Sequence, residues 1–600
     1  MTRPRFAQRV TEWLGVPLAP WIVIALGLLL AAPALTADFT ADDHLHRVLE
    51  RADPGVTGLS SRPLDLFVFA TGSPVDNAAL RDGGLFPWWV DPQLKLAFAR
   101  PLSSATHAVD HALWPDDPTP QLLHNLVWHA LALLAIWGCF RRFLPVRWIA
   151  VLALALYAFD DARGPVVGWI ANRNALVALA LSLPVLLVHD RWRREGWMPG
   201  RILAPLLFIV ALGAGESSIA ILAYIAAHAL FLDAGPWRAR LLALAPYLVI
   251  VVAWRVVYAH LGYGVVGSGV YLDPGSDPVA FLGAAATRIP FLLQGQLALP
   301  WSDLASFYPV AGIVVPMLAI ALVMLGAIGL ACVRLVRRDA TARFFALGMV
   351  LSAVPVASTF PADRLLSFIG LGGAGLVAQL LAAAFRDRDL LGDRRLRRGF
   401  GVLVAISMVL VHLVLSPPLL VLRSRSMVAV GKVIDRADAT LPHGAAIADK
   451  TFLIMTTPSD ALAGYITVMR RSHDEPAPAH LYWLTTATSA TTIERVDART
   501  LRVTPVNGLL RHDIDQMMRS PRTRPFHVGE RVALTQLAME IEAITPDGRP
   551  AQFLVHFAVP LDDPSIVWLT WRGTGYAPYT PPAIGTTDTL PPVDFLKLLE

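Results

Sequence analysis

Lysine is almost missing from this sequence. It occurs only at Lys95, Lys432, Lys450 and Lys597, so nearly all positive charge is carried by arginine. Charge as a whole is sparse: Asp, Glu, Lys and Arg make up 16% of the 600 residues, against roughly 25% in a soluble domain. Cysteine is limited to Cys139 and Cys332, both near helix ends expected on the cytoplasmic side, which argues against a disulfide framework and a cysteine zinc site. There is no Asn-x-Ser/Thr sequon, which speaks mildly against a glycosylated eukaryotic lumen. Internal repeats and low-complexity tracts are absent as well, and the bias to Arg and Ala fits a GC-rich bacterial genome. A net charge of +5 raises nucleic acid as a partner, but the arginines stand at the ends of apolar blocks, where membrane orientation accounts for them. No nucleic acid is expected.

Apolar sequence is what the chain has in abundance. Hydrophobic residues make up 55% of it and the mean hydropathy is +0.52. They come in blocks of about 18–22 residues, the length that spans a bilayer core. Eleven transmembrane helices are expected, at 16–36, 121–140, 147–159, 174–189, 201–215, 217–232, 241–258, 309–333, 343–358, 365–385 and 399–422. Those at 147–159 and 201–215 are short, so they must tilt or lie among neighbours. Arg3, Arg5 and Arg9, followed by the apolar run Val16–Leu35, resemble a signal peptide. The run is long for one and many spans follow, so it reads as a retained signal anchor.

One alternate set of helix ends carries Arg141, Arg142 and Arg147, then Arg191, Arg193, Arg194 and Arg201, then Arg238 and Arg240. It continues with Arg334, Arg337, Arg338 and Arg343, and ends with Arg386, Arg388, Arg394, Arg395, Arg397 and Arg398. By the positive-inside rule this set and the N-terminus are cytoplasmic. An odd number of spans then puts the C-terminus in the periplasm of a bacterial inner-membrane protein. Residues 1–422 form a transmembrane domain, whose external loops 37–120 and 259–308 are expected to carry short interfacial helices. Residues 423–600 alternate in strand-like stretches such as Thr451–Thr456, Ala551–Val559 and Ile566–Trp571. They predict a β-rich (α+β) periplasmic domain with a helix near 458–471.

Asp38, Asp42, Asp43, His44 and His46 stand just outside the first span. Carboxylates there can face both water and a membrane-embedded substrate, and transfer to a hydroxyl needs a base within hydrogen-bond reach. A helix capped by Asp38 or Thr40, with acids in its first turn, accounts for the same residues. If 41–50 is helical, neighbouring side chains point about 100° apart. Asp42 then lies near the face of Leu45, Val48 and Leu49, and Asp43 points toward water. Two histidines beside two aspartates can hold a divalent metal, but their spacing defines no ligand set.

Asp160 and Asp161, with Trp169 and Arg173, join the third and fourth spans on the external side. Polar residues at such a mouth line a site or form a solvated turn anchored by Trp169. Glu216 stands between two short apolar helices, as a site residue or in a capping region. Asp363 and Arg364 lie at the mouth between the ninth and tenth spans. Arg364 suits a lipid phosphate or a pairing with Asp363, and Arg255 and Arg288 share that ambiguity. Asn125 and His129, one helical turn apart, read as an interhelical hydrogen-bond pair.

Taken in order, the Asp42-Asp43 pair, Arg100-Pro101-Leu102, Asn125-Leu-Val-Trp-His129, Trp169-Ile-Ala-Asn-Arg173, Glu216 and Asp363-Arg364 resemble the GT-C superfamily of integral-membrane glycosyltransferases, over roughly residues 16–400. The likeness is to the protein O-mannosyltransferase-like branch, including transmembrane mannosyltransferases with tetratricopeptide repeats. The resemblance implies that a sugar passes from a polyprenyl-phosphate carrier to an acceptor glycan, lipid or protein on the external face, with inversion. It places the general base on Asp42, with Asp43 second, and the carrier phosphate near Arg173 and Arg364. No cofactor is implied with certainty, and a divalent metal stays open. The sequence departs from the family at Leu122, where a His is common, at Asp160-Asp161 in place of His-Pro, and at Gly215, where a Lys often precedes the Glu. The tetratricopeptide repeats are missing, and 423–600 resembles no family. Two other classes compete: a transporter or flippase of a lipid-linked glycan, and a non-catalytic membrane scaffold. A transporter favours broken helices at the midplane in two related halves.

Overall fold

The computed structural model describes residues 5–53, 56, 58–59, 62, 64–307 and 312–594. Arg3, and 309–311 at the start of the expected eighth span, lie outside them. The chain divides into two compact units: Met1–Ala37, Ala99–Leu261 and Pro274–Met427 form the first, and Asp38–Phe98, Gly262–Asp273 and Val428–Glu600 the second.

The first unit is helical. Among the described residues, seven helices are long and apolar enough to cross a membrane, and four shorter apolar helices accompany them: Arg147–Ala158, Gly200–Leu212, Glu216–Phe231 and Ala340–Val356. These correspond one to one with the eleven expected blocks, and the chain is a multi-pass membrane protein. Local chemistry sets the helix ends. Pro118–Phe143 starts with Asp117 accepting from the Thr119 N–H at 2.9 Å and a proline in its first turn. Arg173–Glu195 stops at Gly196, whose φ of 72° is the left-handed conformation that glycine adopts freely. The helix beginning at Arg395 passes through a π segment, Leu410–Leu415, just before Pro417 and Pro418. Two prolines remove two backbone donors from the ladder, and the wider turn is the local response.

Ser367–Arg386 runs through the interior of this unit, with every residue from Ser367 to Ala384 buried. Four glycines make the close approach possible. A Cβ on Gly372 would sit 2.5 Å from the Phe345 carbonyl oxygen, backbone that cannot step aside. The core around this helix includes Tyr157, Phe140, Tyr224, Phe344 and Phe345.

The second unit carries all the described strands. A mixed four-stranded sheet has the order Gly575–Pro578, Ile566–Arg572, Thr451–Thr457, His480–Thr486. Its last three strands are parallel, and Thr451–Thr457 is buried at every position, as a covered parallel strand must be. The crossover between Thr451–Thr457 and His480–Thr486 contains the helix Asp460–Ser472, close to the one expected near 458–471. A six-stranded antiparallel sheet includes Thr500–Pro505, Leu537–Ile544 and Pro550–Phe557.

The third sheet joins Val68–Thr71, Lys95–Ala97 and Gly264–Val266. Segments of both expected external loops therefore fold with the β-rich part of the chain. Trp88 and Trp89, from the first loop, lie buried in its core against Phe526 and Phe553. The Trp88 ring N–H donates to the Leu484 carbonyl at 3.1 Å.

Candidate functional site

In the first unit, three sequence-distant acids converge on one guanidinium. Arg423 donates to Asp161 at 2.9 Å, to Asp363 at 2.5 Å and to Asp303 at 2.6 Å. Its guanidinium lies over the Trp301 ring, 4.7 Å from the centroid. The Trp301 ring N–H and the Ser416 hydroxyl both donate to Asp161, at 2.8 Å each. Asp363 also accepts from the Ser302 N–H at 2.9 Å and the Ser302 hydroxyl at 2.6 Å. The turn that carries Asp160 and Asp161 must press closely on the end of the last helix. A Cβ on Gly164 would come within 2.6 Å of the Arg423 backbone carbon, so only glycine fits there.

Three carboxylates around one cation cannot all ionise cheaply. Burial, and then the neighbouring charge of Asp303, push Asp363 up to about 6 despite Arg423. Burial also raises Asp303, against the pull of Arg423 and Arg364. Asp160 is tied in beside them: it accepts from Ala162 N–H at 2.9 Å and from Gln296 at 2.7 Å, with Arg163 3.7 Å away.

Arg364 differs from Arg423. It is half-buried, 5.1 Å from the Trp169 ring centroid and 5.5 Å from that of Phe360, and has no hydrogen-bond partner among the described residues. It is not the ion-pair partner of Asp363, a place taken by Arg423. Arg173 is fully buried. Its guanidinium pairs with Asp110 and donates to the Asn125 side chain at 2.6 Å, the Gln121 carbonyl at 2.9 Å and the Thr106 carbonyl at 3.2 Å. These bonds tie together the helices holding two of the quoted motifs. Asn125 in turn donates to the carbonyls of Val167 and Trp169, at 3.0 and 3.1 Å, rather than to His129. Glu216 binds Arg100 at 2.9 Å and accepts from the Tyr258 hydroxyl at 3.0 Å. Arg288 donates to the Ala357 carbonyl at 3.0 Å, and Arg255 lies 5.8 Å from the Tyr258 ring centroid.

The acidic pair outside the first span belongs to the second unit. Asp42 and Asp43 open the helix Asp42–Glu50, entered through Ala41 at φ 52°, a conformation few side-chain-bearing residues adopt. Asp43 is buried, and its carboxylate reaches back to the Thr40 N–H at 3.1 Å. The expectation that Asp43 points to water is overturned: its carboxylate turns back to the Thr40 N–H, ahead of the helix. Asp42, half-buried, accepts a hydrogen bond from the Tyr465 hydroxyl. His44 shares a 2.8 Å hydrogen bond with Ser472, and burial with His473 nearby pushes it down to about 3, so its ring is neutral. The His46 ring packs edge-on against Phe67 at 5.0 Å. Asp38 accepts from the Phe39 N–H at 2.7 Å.

Asp438, His443 and Glu475, also in the second unit, bring one ligand atom each within 4.8 Å of one another. They could hold a metal ion, but Asp438 already pairs with Arg470 at 2.6 Å. Sequence reasoning did not single out Arg423, Asp303, Asp110 or Tyr465. For Arg423 a signal existed: it is a cation at the end of a span that is expected on the side poor in arginine.

No known family model matches this sequence, and no curated protein matches it. Among solved structures, the chain is similar to the Archaeoglobus fulgidus oligosaccharyltransferase tethered to an acceptor peptide with an NVT sequon, at 13% identity and a TM-score of 0.40. The match covers 78% of this chain and 64% of that one, so this chain spans just under two thirds of its length. It is also similar to the archaeal oligosaccharyltransferase AglB from Archaeoglobus fulgidus in complex with an inhibitory peptide and a dolichol-phosphate, at 12% identity, 77% and 64% coverage and a TM-score of 0.37. ArnT from Cupriavidus metallidurans matches at 14% identity, 74% and 83% coverage and a TM-score of 0.31.

Proposed function

We propose that this chain is a GT-C-type glycosyltransferase that moves a sugar from a polyprenyl-phosphate carrier to a hydroxyl on an acceptor glycan, lipid or protein at the periplasmic face of a bacterial inner membrane. One observation carries the reading. Two of the motifs that suggested it, from distant parts of the sequence, meet in the folded helical unit: Arg364 of one lies over Trp169 of the other, and beside them Asp161 and Asp363 share Arg423. Helix-mouth polar residues that merely faced solvent would have no reason to gather.

In this reading Asp42 takes the proton of the acceptor hydroxyl as its oxygen attacks the anomeric carbon. The bond from that carbon to the carrier phosphate breaks, and polyprenyl phosphate leaves with the negative charge. One displacement inverts the anomeric centre. Arg364 meets the phosphate, since its guanidinium presents a fork of donors beside two aromatic rings and has no hydrogen-bond partner among the described residues. Arg173, with its donors engaged in the fold, braces the site. Arg423 and its acids hold the loops that carry Arg364 and Trp169.

The test is reconstitution of the purified protein in nanodiscs with a radiolabelled polyprenyl-phosphate hexose and an envelope extract as acceptor. The expected result is released polyprenyl phosphate and label passed to the acceptor. A transporter would instead carry the intact lipid-linked sugar across vesicle leaflets without cleaving it, and that outcome would replace this reading.

A further inference from the structure

We infer that Tyr465 is the positioning residue of the proposed base: its hydroxyl, delivered by the helix Asp460–Ser472, fixes the Asp42 carboxylate for proton abstraction. The inference rests on the reading of Asp42 as that base.

The placement of Tyr465 is over-determined. Its helix starts at Ser459, whose hydroxyl accepts from the Leu462 N–H at 3.2 Å. One residue before Tyr465, a Cβ on Gly464 would lie 2.6 Å from the Leu85 carbonyl oxygen, so the helix backbone presses directly on the 38–98 segment. Val468, one turn on, packs in a cluster with Leu45, Val48 and Leu49 of the helix Asp42–Glu50. A second tie between the two helices is the His44–Ser472 hydrogen bond at 2.8 Å. One polar contact and an apolar seam therefore set the register in which the Tyr465 hydroxyl meets Asp42.

The direction of that hydrogen bond is settled by chemistry. Tyr465 is half-buried, and desolvation first, with the charge of Asp42 second, raises its phenol well above the usual range. The hydroxyl therefore keeps its proton and donates. Asp42, Tyr271 and Asp43 are the titratable groups whose charge reaches it. The backbone points the same way: Ala41, immediately before Asp42, is held at φ 52° and ψ −121°. Such a conformation persists only where the surroundings enforce it, and it recurs where a side chain must be aimed.

A donor on the charged form of a carboxylate favours that form. Its loss makes the base protonate at higher pH and swing more freely. The experiment uses the full-length protein, with sugar transfer from a polyprenyl-phosphate hexose followed as a function of pH for wild type, Tyr465→Phe, Asp42→Asn and the double variant. For Tyr465→Phe, kcat is expected to fall roughly tenfold, and the acid limb of the pH–rate profile to move up by about one pH unit, as the loss of one charge-assisted hydrogen bond implies. In the Asp42→Asn background the same change should cost almost nothing, because the hydroxyl then has no base to position. A lower rate with an unmoved acid limb, or losses that multiply in the double variant, would show that Tyr465 only supports the fold and overturn the inference. An inactive Asp42→Asn beside a wild-type Tyr465→Phe profile would overturn the inference alone. A fully active Asp42→Asn would overturn the reading beneath it.

Discussion

The two acidic groups of this chain, one in each unit, are handled in opposite ways. Around Arg423, three carboxylates compete for one guanidinium and use their remaining oxygens on Ser302, Ser416, Trp301 and the Asp363 backbone. At the start of Asp42–Glu50, two adjacent carboxylates divide the work. Asp43 is buried and bonds back to the Thr40 N–H, while Asp42 stays half-buried and accepts from a neutral phenol. A carboxylate locked to a largely enclosed cation is a structural joint, because releasing it strands the partner charge. A carboxylate that accepts from a neutral phenol can take up a proton without stranding a charge on that donor, which suits a general base.

The sharpest way to break the comparison is Arg423→Ala. It leaves the buried Asp161 and Asp363 and the half-buried Asp303 without their cation, and removal of one side of a buried pair typically costs about 3–5 kcal/mol. The expected result is a large fall in thermal stability in detergent, partly recovered by adding Asp363→Asn. Unchanged stability would mean that the acids are solvated rather than joined. Arg364→Ala should do the reverse. Melting should stay near wild type while donor use weakens roughly ten- to hundredfold, the worth of about 1.5–3 kcal/mol of charge-assisted hydrogen bonding. The KM for the lipid-linked donor reads this directly, and a lower melting temperature at unchanged KM would make Arg364 another joint.

The pH response of Asp363 sharpens the contrast further. Its native form holds a proton up to about 6, whereas an unfolded Asp loses it near 3.8. Its stabilising contribution is therefore full below that unfolded value and is lost as pH rises through about 6. Asp363→Asn lacks this dependence, so its stability relative to wild type should improve between pH 5 and pH 8. A gap that does not vary with pH would contradict the raised value. The smallest effect is expected of Asp43→Ala, about 1 kcal/mol for one lost hydrogen bond, with transfer activity largely kept.

The membrane helices were legible because each is a block of apolar residues long enough to be unmistakable, and even the short ones at Arg147–Ala158 and Gly200–Leu212 fell where expected. The partners of the polar residues were not. Arg423 sits one residue beyond the expected end of the last span, and nothing local says that it meets acids at 161, 303 and 363. Nor does the first external loop announce that Val68–Thr71 and Lys95–Ala97 await Gly264–Val266, since pairing across so many residues is set by topology. The acidic pair opens a helix as expected, but helical geometry alone misplaced Asp43. A helical wheel leaves out the segment ahead of the helix, and the Thr40 N–H there is what holds its carboxylate inward.

Topology remains a proposal with its own check: a reporter fused after Glu600 is expected to be active only in the periplasm. The most direct measurement is turnover by Asp42→Asn, which keeps the shape of the side chain and removes the base. In protein whose melting temperature matches wild type, sugar transfer from a polyprenyl-phosphate donor should fall by roughly 10²–10⁴, the usual worth of a positioned general base; full activity would contradict the assignment of Asp42 and with it the account of catalysis given above.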